Sequence, residues 1–198
     1  MDFLPARYLT ILAKTNRCEI ADLPEKIKTY TGSPAIIKDY LRRDDRAIFA
    51  ELNPQDFALL KRNVVGHPKY TLTRENGFSL LKSKLPPPEK RGLIIIDPAF
   101  EKDQKLISDD YDNIIKGLHE AHKRFAHGVY LIWYPIIKGN EAILDTFYHD
   151  MFALKFEKIM QVTFNVGTKE GETKMAASGM FILNAPWQLD ALGILISY

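Results

Sequence analysis

Residues Gly92–Asp97 read Gly-Leu-Ile-Ile-Ile-Asp, four consecutive apolar residues ending in a carboxylate, with Pro98 directly behind it. Such a run lacks two-residue alternation, so both of its faces call for cover, which is how a strand inside a parallel sheet reads. Pro98 has no N–H to continue a ladder, and it biases the acid before it toward extended backbone. Parallel strands need crossover segments, usually helices, so these few residues commit much of the chain to an α/β fold.

The remaining segments follow that rhythm. Ala47–Leu52 reads as a strand, and Asn53-Pro54 behind it as a helix start with Asn as cap and Pro in the first turn. Tyr70–Thr73, β-branched and aromatic, predicts a second strand, and the Asn76-Gly77 turn leads into a short helix that Pro86 stops. Tyr111, Ile114, Ile115, Leu118 and Ala121 recur at helical spacing and predict a long helix over about Asp109–Phe125. Val129–Tyr134 is the next strand, and Glu141–Phe152 the next helix. Phe156–Val166 and Met175–Leu183 are two strands joined by Gly167–Gly171, too short a link for a crossover, so they form an antiparallel hairpin. The expected architecture is a mostly parallel α/β sheet with a C-terminal antiparallel hairpin.

Composition narrows the function classes. No apolar stretch approaches the ~20 residues of a membrane span, and no basic-then-apolar leader opens the chain, so a cytoplasmic protein without membrane contact is expected. Cys18 is the single cysteine, which excludes an intrachain disulfide and a cysteine-only metal site. His119 and His122 stand at i, i+3 with no further ligand converging in sequence, so no metal is expected. The net charge of +2 is too small to identify a nucleic-acid binder. The local basic clusters, among them Lys82 with Lys84 and Lys116 with Lys123 and Arg124, read first as solvated faces. Trp133 and Trp187 read as packing residues.

Ligands of open α/β sheets bind at the carboxyl ends of the strands, here Glu51, Asn76-Gly77, Asp97-Pro98-Ala99-Phe100 and Tyr134-Pro135. Asp97 followed by a rigid turn and an aromatic ring can offer acceptors to an exocyclic amine and a stacking face to its base. Taken alone, the same four residues also read as a strand ending in a capped turn. Glu51 suits a ribose diol, or equally a solvated carboxylate at a helix entrance. In order, these ends suit a methyltransferase sheet that uses S-adenosylmethionine, entered at its second strand.

At this point the chain resembles the bacterial 23S ribosomal RNA adenine-N6 methyltransferases that modify a single adenine. The likeness runs from about Tyr30 to Trp187. It includes Tyr30-Thr31-Gly32-Ser33-Pro34, Glu51-Leu52-Asn53-Pro54, Asn76-Gly77-Phe78, Lys84-Leu85-Pro86-Pro87 and Arg91 through Pro98. It continues through Lys123-Arg124-Phe125-Ala126, Trp133-Tyr134-Pro135 and Ala177-Ser178-Gly179-Met180. The resemblance implies S-adenosylmethionine as cofactor and 23S ribosomal RNA as partner. It implies cofactor contacts at Ser33, Glu51, Asn76 and Gly77, catalysis by Asp97, and a base pocket at Pro98, Ala99 and Phe100. It further implies an N-terminal helical segment over 1–30 and a methyltransferase-like domain over 31–198.

Three departures accompany it. The family's Asp-Pro-Pro-Tyr is Asp-Pro-Ala-Phe here, and Asn76 stands where the family has an acid. The family's Gly-rich loop after its first strand has no counterpart before Glu51, where Gly32 is the sole glycine. In the family that first strand lies between the strands ending in Glu51 and Asp97. The expectation is an incomplete chain; the alternatives are that Tyr8–Leu12 supplies the strand or that the sheet has closed up. Weak or absent cofactor binding by this chain alone follows, with association if truncated and a monomer when complete. The alternative function is an inactive nucleic-acid-binding remnant, or a protein for the use of external DNA, as relatives have been described.

Overall fold

A computed structural model of the chain describes residues 6–23, 25–64, 68–100, 104–165 and 175–192, with side chains for all but 104–107 and 190–192. The chain divides into two compact units, Met1–Asn76 and Gly77–Tyr198, so the boundary expected near residue 30 lies inside the first unit.

In the first unit, α1 (Ala6–Asn16) turns Leu12 and Ala13 onto Leu23, forming a small apolar cluster. Tyr8–Leu12 is therefore helix, and the alternative in which it supplies a strand is overturned. The Asn16 amide holds the return of the chain: its Oδ1 accepts from the N–H groups of Lys28 (2.7 Å) and Thr29 (3.0 Å), and its Nδ2 donates to the Thr29 carbonyl (2.9 Å). Next, α2 (Ser33–Tyr40) opens behind Gly32, whose carbonyl accepts from the N–H groups of Ala35 and Ile36. Strands β1 (Ala47–Ala50) and β2 (Tyr70–Thr73) pair in parallel, Ala47 opposite Tyr70 and Ala50 opposite Thr73, across the crossover helix α3 (Pro54–Val64). The expected cap is present: Asn53 Oδ1 accepts from the N–H of Gln55 at 2.8 Å.

The second unit begins with α4 (Gly77–Ser83) and β3 (Leu93–Ile96). There follow α5 (Gln104–Phe125), β4 (Val129–Ile137), α6 (Glu141–Ala153), β5 (Ile159–Asn165) and β6 (Met175–Leu183). The sheet runs β3-β4-β6-β5, with β3 and β4 parallel and β6 antiparallel to both β4 and β5. Counting β1 and β2, two strand pairs are parallel and two antiparallel, because the expected hairpin docks on β4 through its second strand. The hairpin link, with Val166, lies outside the described residues.

On one face of this sheet Tyr130, Ile132 and Tyr134 of β4 are fully buried against Ile114 and Leu118 of α5 and Met151 of α6. Two-residue alternation on the strand meets helical spacing on α5, which is why so amphipathic a helix lies flat on the sheet. Met160, Ile182 and Ala185 form a smaller cluster apart from it.

Strand β3 corrects the opening expectation. It is a strand, and parallel, but Leu93 is 58% and Ile95 39% exposed. Only β4 flanks it, and no described strand lies beside it on the other edge. Among the described residues, β1 pairs with β2 alone. Trp187, expected to be packed, is 75% exposed; it sits in a 3₁₀ turn after the last strand, beyond the sheet's cover. No described helix is long and apolar enough to cross a membrane.

Candidate functional site

Asp97 leaves β3 one residue after the last ladder position, where Ile96 pairs with Ile132. The fold thus delivers it to the carboxyl edge of the parallel pair. Its side chain reaches solvent, yet the protein around it displaces enough water to raise its pKa above the ordinary 3.8. Burial is the whole cause, and among the described residues the carboxylate has no hydrogen-bond or ion-pair partner. A carboxylate held in this way is a readier acceptor than one already committed to a lysine or arginine.

Pro98 and Ala99 continue the segment without regular structure, and Phe100 ends it in left-handed backbone, φ 43°. That conformation is costly for a bulky residue and persists only where neighbours hold it. Here they do. The Phe100 ring is 9% exposed, with the Tyr111 ring at 5.0 Å and the Trp133 ring at 5.9 Å. Tyr111 is itself fixed: its hydroxyl donates to the Pro135 carbonyl at 2.7 Å, and its ring lies 4.7 Å from Phe147. Burial pushes the Tyr111 hydroxyl far above its usual range, so it remains a donor.

Pro135 can occupy a strand because β4 outruns β3: the parallel pairing stops at Ile132, and from Trp133 onward β6 alone flanks the strand among the described residues. The sequence reads Tyr111 as the first position of a periodic helical run and Trp133 as a packing residue. That reading misses that they converge on Phe100, although Tyr111 standing 11 positions on, at the head of the periodic run, is a visible signal.

The remaining residues belong to the first unit, apart from Gly77, the first residue of α4. Glu51 follows β1, and its N–H donates to the Thr73 carbonyl at 3.2 Å, extending the ladder by one bond. Its Oε1 accepts from the Asn53 N–H at 2.8 Å, which orients the carboxylate beside the start of α3. Asn76 follows β2 by three residues and is exposed, so it shares with Glu51 the carboxyl edge of this parallel pair. Ser33 is exposed at the first position of α2, as expected. A carboxylate, an amide and a hydroxyl at helix and strand ends fit the diol and amine of a nucleoside. No group of three or more His, Cys, Asp or Glu able to hold a metal ion occurs among the described residues, and His119 and His122 form none.

Comparison with known proteins gives a consistent picture. The family model described as "Ribosomal RNA large subunit methyltransferase D, RlmJ" matches residues 4–194. The ribosomal RNA large subunit methyltransferase J of Haemophilus influenzae is 36% identical over 185 residues, covering 93% of this chain and 62% of that protein. The protein of the same name from Escherichia coli K12 is 34% identical over 192 residues, covering 96% of this chain and 64% of that one. The chain therefore spans a little under two thirds of the length of these curated relatives. Among solved structures, protein LPL1258 from Legionella pneumophila superimposes with a TM-score of 0.79 at 29% identity, over 96% of this chain and 67% of that one. A Clostridium thermocellum protein provisionally named an rRNA-methylase matches with a TM-score of 0.50 at 10% identity, over 77% of this chain and 82% of that one, a likeness of fold alone.

Proposed function

This chain belongs to the ribosomal RNA large subunit methyltransferase D, RlmJ family, and on that premise we propose that it serves S-adenosylmethionine-dependent methylation of an adenine N6 amine in 23S ribosomal RNA. The observation that carries the reading is Asp97: a carboxylate of raised pKa, without a partner among the described residues, at the end of a parallel strand and leading into a turn that neighbouring rings hold in place.

The cofactor supplies an electrophilic methyl group. The chain's own residues do the rest. Asp97 accepts a hydrogen bond from the N6 amine, whose lone pair is otherwise delocalised into the ring, and holds the proton released as nitrogen bonds to carbon. Pro98 and Ala99 line the base, with their carbonyls as further acceptors. Phe100, largely buried, offers the base its rim, and a full stacking face only if its side chain turns. Glu51 takes the ribose hydroxyls through the carboxylate oxygen not engaged by Asn53. Asn76 and Gly77 serve the adenine, and Ser33 adds a hydroxyl at the head of α2. Alignment of the amine with the methyl donor supplies the remainder of the acceleration.

The test is genetic, so that it uses the protein as the cell makes it. Disrupting the gene should remove one N6-methyladenosine from digests of 23S ribosomal RNA, read by mass spectrometry. The wild-type gene should restore it, and Asp97→Ala should restore less than about a hundredth of the rate, within the span of general-base losses. Full restoration by Asp97→Ala would strip Asp97 of its role. An unchanged digest in the disrupted strain would overturn the function.

A further inference from the structure

An open groove of about 560 Å³ runs between α4 and α5 in the second unit. It is not one of the strand ends where the candidate site lies. Its polar lining comes from Ser79 and Lys82 on α4 and from Asn113, Lys116, His119 and Glu120 on α5. Phe78 also lines it, and Gly117 lets the helices close together beneath it: a side chain at Gly117 would stand 2.9 Å from Leu81 Cδ1 and from Phe78 Cδ1.

The charge of this groove is one-sided once its partners are counted. Lys82 has no ion pair among the described residues. Lys116 reaches only Asp112, at 3.9 Å with both side chains largely in solvent, a contact that water and salt screen. Glu120, the one acid in the lining among the described residues, is bound by Lys123 at 2.9 Å and by Arg124 at 2.7 Å, which hold its carboxyl down at about 2. Its negative charge is thus answered twice over by cations outside the groove. What remains toward the opening is two lysines on separate helices, with exposed Asn113 and His119 to supply further hydrogen-bonding groups.

We propose that this groove is a track for the phosphodiester backbone of RNA. Lysines on two helices lie along an open channel, which suits successive phosphates of a strand rather than one enclosed anion. Phosphate contacts of this kind position a substrate without reading its sequence. The choice of RNA over another polyanion rests on the proposed function.

The experiment measures binding of a fluorescently labelled RNA hairpin to the full chain over a range of salt concentrations, by anisotropy. Lys82→Ala with Lys116→Ala should weaken binding at least tenfold at low salt. It should also lower the slope of log affinity against log salt by roughly 1.4–1.8, two phosphate contacts at about 0.7–0.9 each. Lys138→Ala with Lys155→Ala, two exposed lysines elsewhere in the same unit, should leave affinity within about twofold and the slope within a few tenths. Equal losses in the two pairs would reduce the effect to overall charge and overturn the proposal. So would polyglutamate competing as well as RNA of equal charge, since the track would then not be for RNA. If the wild-type chain binds and the first pair binds equally well, the groove falls and the proposed function stands. If the groove result holds while the disrupted strain keeps its methylated adenine, the function falls instead.

Discussion

At the scale of single residues, Asp97 carries opposite consequences for activity and for stability. Its carboxyl binds a proton more tightly in the folded chain than in the unfolded one. The penalty is therefore absent below the ordinary value of 3.8 and grows as pH rises through the folded pKa. Asp97→Asn should remove it. The variant should melt about 1–2 °C above the wild type at pH 7, a gain of no more than about 0.5 kcal/mol because the group is partly in water, and the difference should vanish below pH 4. Thermal melts at the two pH values check this; a lower Tm at pH 7 would mean that the carboxylate has a stabilising partner after all. The place of Asp97 was legible in the sequence, because an apolar run ending in an acid before a proline announces itself through covalent geometry. The state of Phe100 was not. Its left-handed φ and its burial against Tyr111 and Trp133 depend on residues brought in from another helix and another strand.

Between elements, α4 meets α5 at Gly117. In an ordinary helix interior Gly→Ala gains roughly 1 kcal/mol. Here the new methyl meets Leu81 and Phe78 at 2.9 Å, and overpacking of that kind costs about 1–3 kcal/mol. Gly117→Ala should therefore give no net stabilisation, and Gly117→Val should lose about 2 kcal/mol or more, as urea unfolding would show. A full gain for the alanine variant would mean that the two helices part freely. Most elements were readable from periodicity, α5 and β6 above all, since an amphipathic repeat reports its own buried face. The cover over β3 was not readable. Leu93–Ile96 has the composition of a strand enclosed on both faces, but composition cannot say whether a neighbour is at hand, and Leu93 and Ile95 stand in solvent. The length of β4 was underread for a related reason: Pro135 argues against a central strand, and only the early end of β3 makes its place possible.

Over the whole molecule, the apolar core is unevenly divided. In the second unit one continuous cluster joins β4 and β6 to α5 and α6, whereas among the described residues the first gathers a small cluster at Leu12, Ala13 and Leu23, with Phe49 and Val64 buried apart from it. Amide exchange should reflect this, with Tyr130–Tyr134 and Gly179–Leu183 protected about two orders of magnitude more than any amide of α1, β1 or β2. Uniform protection along the chain would show that it opens as one block. Within the better-protected unit, the backbone at Gly179 lies against the Tyr134 ring so closely that even a Cβ would collide with Cζ, Oη and Cε2. That ring is held by Gln161, which donates to its hydroxyl at 2.7 Å, and by Phe181 stacked at 5.3 Å. The two positions, opposite each other on β4 and β6, therefore form one unit of packing: room for any side chain at 179 opens only when the ring at 134 is displaced or removed.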